Sequence, residues 1–108
     1  MTEPRETGRA FVRVAALSDV PPGTSRAFEV AGREIALVNV GGRIFACSNI
    51  CPHQGGPMAD GILDGTCLVC PWHGWSFDLA TGTSPVNPKL RIEVYAAKVE
   101  NDEIFVSV

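Results

Sequence analysis

The sequence predicts an all-β fold, and three observations carry that expectation. Short runs rich in Val and Ile fill both ends of the chain. Turn residues such as Pro21-Pro22-Gly23, Gly41-Gly42 and Asn101-Asp102 punctuate them. No segment keeps a helical period for three turns. Short strands at close spacing favour a small barrel or sandwich.

In chain order, the expected strands are residues 11–17, 27–31, 34–40, 43–47, 66–69, 90–99 and 104–108. The first ends ahead of the Pro21-Pro22-Gly23 breaker. Residues 34–40 and 43–47 flank Gly41-Gly42 and read as one hairpin. In the last pair, Arg91-Ile92-Glu93-Val94 alternates apolar and polar, and the chain turns back through Asn101-Asp102. That is a terminal hairpin with one buried face. Between these ends the chain changes character, becoming rich in Gly, Pro and aromatics over about residues 48–82. There Ser48-Asn49-Ile50 suits a single turn, and Asp78-Leu79-Ala80-Thr81-Gly82 a hairpin turn.

At 108 residues the chain fits one domain, and a 45% hydrophobic fraction is ordinary for a globular core. The net charge of −3 argues against nucleic-acid binding, which wants a basic footprint. It suits a partner with a basic docking face, or plain solubility. No stretch reaches the length of a membrane span, and the start, Met1-Thr2-Glu3-Pro4-Arg5-Glu6, lacks the apolar core of a secretory signal. The expectation is a cytoplasmic, monomeric protein without membrane contact. In that compartment four cysteines read as metal ligands or free thiols, not as a disulfide framework.

Two clips carry the chemistry. Residues 51–53 read Cys-Pro-His and residues 70–73 read Cys-Pro-Trp-His, and together they hold both histidines of the chain. Sixteen residues separate His53 from Cys70, enough for two loops to meet at their tips. Thiolates suit iron–sulfur clusters and zinc, and imidazole suits iron or zinc. Zinc accepts two Cys and two His, but its fingers usually group like with like, whereas each clip here mixes the types. Cys47 and Cys67 end or begin apolar runs and read as small buried residues, although Cys67 and Cys70 also spell Cys-x-x-Cys.

Residues 51–61, Cys-Pro-His-Gln-Gly-Gly-Pro-Met-Ala-Asp-Gly, and residues 70–78, Cys-Pro-Trp-His-Gly-Trp-Ser-Phe-Asp, resemble the cluster loops of Rieske-type ferredoxins. The strong likeness covers about residues 44–82. It implies a Rieske fold: a β-barrel or sandwich base from about residues 1–47 and 83–108, with a cluster-binding subdomain inserted at about 48–82. It also implies one 2Fe–2S cluster, with Cys51 and Cys70 on one iron and His53 and His73 on the other.

By the same resemblance, the chain is a one-electron carrier between a ferredoxin reductase and a terminal aromatic-ring-hydroxylating oxygenase. Partners would dock near His53, His73, Trp72 and Met58, with Gln54 and Pro57 beside them. Trp72 could instead pack over the cluster and exclude water. High-potential relatives carry Ser and Tyr donors where this chain has Trp75 and Phe77, and a disulfide at the positions of Gly56 and Trp72. A low potential is therefore expected. The chain has too few histidines for the mononuclear iron of a terminal oxygenase, and no Gly-x-Gly-x-x-Gly fingerprint of a reductase. The Rieske small subunit of a nitrite reductase is the competing assignment, and a zinc-bearing interaction module the third. Pro52 and Pro71 stiffen the clips, while Gly55, Gly56 and Gly74 allow positive φ or close packing.

Overall fold

A computed structural model describes residues 11–52, 55–72, 74–85, 87 and 89–107. Among these residues nine strands follow in order: β1 (Val12–Ala16), β2 (Ser25–Val30), β3 (Arg33–Val40), β4 (Arg43–Ser48), β5 (Ile62–Asp64), β6 (Cys67–Val69), β7 (Ser76–Asp78), β8 (Val94–Glu100) and β9 (Glu103–Ser107). Single 3-10 turns occupy Leu17–Asp19 and Met58–Asp60. The described residues contain no α-helix, as expected of an all-β chain.

Six strands form one antiparallel sheet in the order β1-β9-β8-β4-β3-β2, which curls until β1 and β2 touch. A second sheet, β5-β6-β7, is built from the middle of the chain. Hairpin chemistry sets the register of the large sheet. Val40 pairs with Arg43 across Gly41 and Gly42, both at positive φ, and Glu100 pairs with Glu103 across Asn101 and Asp102, also at positive φ. Such two-residue turns match the twist of the strands they join.

Each sheet has its own apolar packing, and β3 belongs to both. Ile35 and Leu37 face the barrel interior with Val30, Ala46, Tyr95, Ile104 and Val106. Ala36 and Val38 face the other way, onto Met58, Leu68, Phe77 and Leu79 of the smaller lobe. The unbroken run Ile35-Ala36-Leu37-Val38 is what a strand buried on both faces requires. On β9, by contrast, Ile104 and Val106 point inward while Phe105 stands outward under the Lys98 ammonium, 5.9 Å from its ring centre.

The structure moves some expected boundaries. Residues 90–93 are not strand. Ile92 N–H donates to Gly82 C=O at 2.7 Å and Arg91 bridges Thr83, so this stretch is tied to the 82–84 segment and the sheet takes the chain only from Val94. Strands β5 and β7 lie within the segment read as loop, and their three residues each are too few for an alternation signal. Gly82 N–H to Asp78 C=O at 2.7 Å closes the anticipated hairpin turn. Before Cys51 the chain makes an Ile50 N–H to Ser48 Oγ contact at 3.1 Å, and Ile50 then bridges Pro57.

Candidate metal centre

The two clips lie on two loops, one leaving β4 and one joining β6 to β7. Both close the same way. Cys51 N–H donates to Gly56 C=O at 2.9 Å, and Cys70 N–H donates to Trp75 C=O at 2.6 Å, each five residues ahead. Gly55 N–H returns to Cys51 C=O at 2.7 Å, a turn that its φ of +80° permits. Both cysteine side chains are almost wholly buried, at 1% and 2% exposure, and both are free thiols.

The two thiols are neighbours. Burial first of all pushes the Cys70 thiol above its ordinary value, and hydrogen bonding and charge from Cys51 add to this, while the Trp72 N–H pulls the other way. That N–H lies 3.4 Å from Cys70 Sγ. A cation bound at these two adjacent, buried sulfurs would be held by them as thiolates. The backbone donor to Cys70 Sγ suits a sulfur that must carry negative charge. The donor set fits an iron–sulfur group.

His53, Gln54 and His73 lie outside the described residues. Around the cysteines, Pro52, Gly55, Pro71 and Gly74 are exposed and Trp72 is 48% exposed. Met58 departs from expectation. It was placed on a docking rim, but it is wholly buried, packed beneath the loops with Cys51, Cys70 and Phe77. An apolar side chain at the start of a 3-10 turn follows the core, and the turn points it inward. Cys47 is buried as expected, and burial raises its thiol to about 12. Cys67 is only half-buried, at the first position of β6, opposite Asp78. Cys67 and Cys70 are therefore separated by an extended strand, about 10 Å at the usual rise per residue. That is too far for a disulfide.

Two residues that matter here escaped sequence reading. Asn49, 6% exposed, accepts Ala59 N–H on Oδ1 at 2.7 Å and reaches Glu34 through Nδ2 at 3.3 Å. Ile50 stands beside the first clip with 53% exposure. The signal for Asn49 was its place between a strand and a ligand clip, where a side-chain amide can substitute for lost ladder bonds.

This arrangement of loops on a β base defines a class. The chain belongs to the Rieske 2Fe–2S domain family, which it matches over residues 10–96. Within that family it is a ferredoxin, an electron carrier with a Rieske-type 2Fe–2S cluster and not itself a catalyst.

The ferredoxin component of naphthalene 1,2-dioxygenase/salicylate 5-hydroxylase systems from Ralstonia sp is 36% identical over 99 residues, covering 91% of this chain and 95% of that protein. The ferredoxin of carbazole 1,9a-dioxygenase from Nocardioides aromaticivorans IC177 superposes with a TM-score of 0.84 at 33% identity, covering 91% and 97%. A ferredoxin solved in a complex of reduced oxygenase and oxidized ferredoxin in carbazole 1,9a-dioxygenase gives 0.81 at 31%, covering 90% and 92%. An NADH-dependent nitrite reductase small subunit from Mycobacterium tuberculosis gives 0.86 at 24%, covering 93% and 96%, a likeness of fold alone. No helix among the described residues is long and apolar enough to cross a membrane.

Proposed function

We propose that this chain carries single electrons from a reductase to a terminal oxygenase that hydroxylates an aromatic ring, in the cytoplasm, as a monomer. In this reading Cys51 and Cys70 hold one iron and His53 and His73 the other, within a subdomain of about residues 48–82. The supporting observation is the pair of adjacent, buried, free thiols at the start of two loops, each closed by the cysteine N–H onto the C=O five residues ahead. The relatives named above, ferredoxin components of dioxygenase systems along most of their length, support the partner.

The cluster, when bound, supplies a site that gains and loses one electron. The chain's residues determine what surrounds it. Burial of both cysteines keeps water from the sulfur ligands, and the Trp72 N–H donates to Cys70 Sγ. The loop tips bring exposed Ile50, Pro52, Pro71 and half-exposed Trp72 to the surface, an apolar set suited to a transient partner.

Electron paramagnetic resonance of the reduced protein tests the ligand assignment. A spectrum with average g below two is expected, and Cys51→Ser or His73→Ala should abolish or alter it. A silent protein containing zinc would refute the assignment. For the partner, the reduced protein should be reoxidised by a naphthalene-type terminal oxygenase in rapid mixing, and Ile50→Glu should slow that step without changing the spectrum. Reoxidation by a nitrite reductase but not by the oxygenase would overturn the partner.

A further inference from the structure

We propose that Trp72 is a positioning residue for the metal centre: seated on Gly56, its indole clasps the second ligand loop to the first and fixes the sulfur pole between them. This rests on Cys51 and Cys70 being the cluster's sulfur ligands.

The two adjacent glycines of the first loop show why. Gly55 is at φ +80° with open space around the position of a Cβ, so its conformation alone calls for glycine. Gly56 is not in the left-handed region, and any residue could adopt its backbone. What excludes a side chain there is contact. A Cβ at position 56 would lie 2.8 Å from Cys70 Sγ, 3.0 Å from Trp72 Cγ and 3.1 Å from Trp72 Cδ2. The second loop has been brought down onto the backbone of the first, and Cys70 Sγ and the Trp72 indole together occupy the space that a methyl group would take.

The contact joins the two backbone segments that carry the thiols. Gly56 C=O accepts Cys51 N–H at 2.9 Å, so the residue under the indole is tied to one cysteine. Trp72 N–H donates to Cys70 Sγ at 3.4 Å, so the residue bearing the indole is tied to the other. Displacing the ring loosens both ties at once. Because Trp72 remains 48% exposed, it is not a core residue whose loss collapses the fold. Its Cγ and Cδ2 atoms lie against Gly56 while about half of the residue meets solvent, which suits an amphipathic ring that covers a site from water.

The test uses holoprotein without any partner: Trp72→Ala, Trp72→Phe, Gly56→Ala, and the double variant Gly56→Ala with Trp72→Ala. The readouts are the rate of cluster release to a chelator, followed by visible absorbance, and the linewidth of the reduced paramagnetic spectrum. Trp72→Ala and Gly56→Ala should each speed release by about fivefold or more, the scale of one aromatic contact, and broaden the spectrum. Trp72→Phe should restore release to within about twofold of the parent, because a smaller ring still covers Gly56. The double variant should fall short of the product of the singles, since one removes the indole and the other displaces it from the same contact.

Parental release rates and spectra in Trp72→Ala and Trp72→Phe would overturn the proposal, even if Gly56→Ala does not fold. A parent protein with no Rieske spectrum at all would instead refute the ligand assignment, so the two failures are distinguishable.

Discussion

Asn49 and Ala59 are joined by a 2.7 Å hydrogen bond from the Ala59 N–H to the buried Asn49 Oδ1, which ties the approach to Cys51 to the 3-10 turn after it. Met58 N–H to Asn49 C=O, at 2.8 Å, doubles the tie, and Ser25 Oγ donates to Ala59 C=O at 2.7 Å from the far side. The first loop is thus held at its root by the Asn49 and Ser25 side chains, neither of them a candidate ligand. Asn49→Leu keeps the branched shape but leaves the Ala59 N–H without its acceptor. A cost of about 1–3 kcal/mol is expected, read as a lowered urea midpoint, with the reduced spectrum unchanged in form.

Gly82 presses against the Ile92 carbonyl while at φ +83°. A side chain there meets backbone, which cannot swing aside, in a conformation that costs L-residues energy. Gly82→Ala should therefore destabilise the protein by at least about 2 kcal/mol. Gly23, at the same φ but with open space around it, supplies the control. Gly23→Ala should show the conformational part alone, and equal losses in the two variants would refute the steric account.

Cys47 on β4 is wholly buried, and burial holds its thiol at about 12 instead of the ordinary 9.0. Below pH 9 the thiol is protonated in both folded and unfolded chains and contributes no pH dependence. Between pH 9 and about 12 the unfolded chain ionises while the folded chain does not, so stability falls as pH rises, by roughly 1.4 kcal/mol per unit at the steepest. Urea midpoints taken across that range should decline less in Cys47→Ala than in the parent. The same burial should leave Cys47 unreactive to thiol reagents at neutral pH until the protein unfolds.

Phe77 fills the floor of the site at 0% exposure and has no proton to offer a sulfur. Phe77 thus offers the reduced state none of the side-chain donation that high-potential relatives supply at its position, and Trp75 carries no hydroxyl. The midpoint potential should therefore lie at the low end of the Rieske span, about −150 mV. Trp75→Ser combined with Phe77→Tyr should raise it by an amount on the order of tens of millivolts, since a donor to sulfur stabilises the added electron. Redox titration of both proteins decides this.

Sequence patterning captured the base better than the loops. The apolar run of β3 and the Gly41-Gly42 and Asn101-Asp102 turns read directly as strand and hairpin, because local chemistry alone dictates them. Residues 90–93 misled because alternation reports a half-buried extended chain and is silent on which neighbour it bonds. Here that neighbour is the 82–84 segment. Met58 misled for a related reason: its place in sequence, seven residues after Cys51, suggested the rim, while the 3-10 turn rotates it into the core. The two clips marked the candidate ligands in the sequence, and the structure sets Cys51 and Cys70 of them side by side and buried. That Gly56 must be glycine for space, and Gly55 for conformation, required the second loop to be seen in place.

β3 serves as a party wall. Its even and odd side chains fill two different apolar compartments, so the compartment that carries the metal cannot loosen while the other keeps its full lining. Heat or denaturant should therefore bleach the protein's colour and melt its sheet in one transition, and a carrier of this design is either whole or gone.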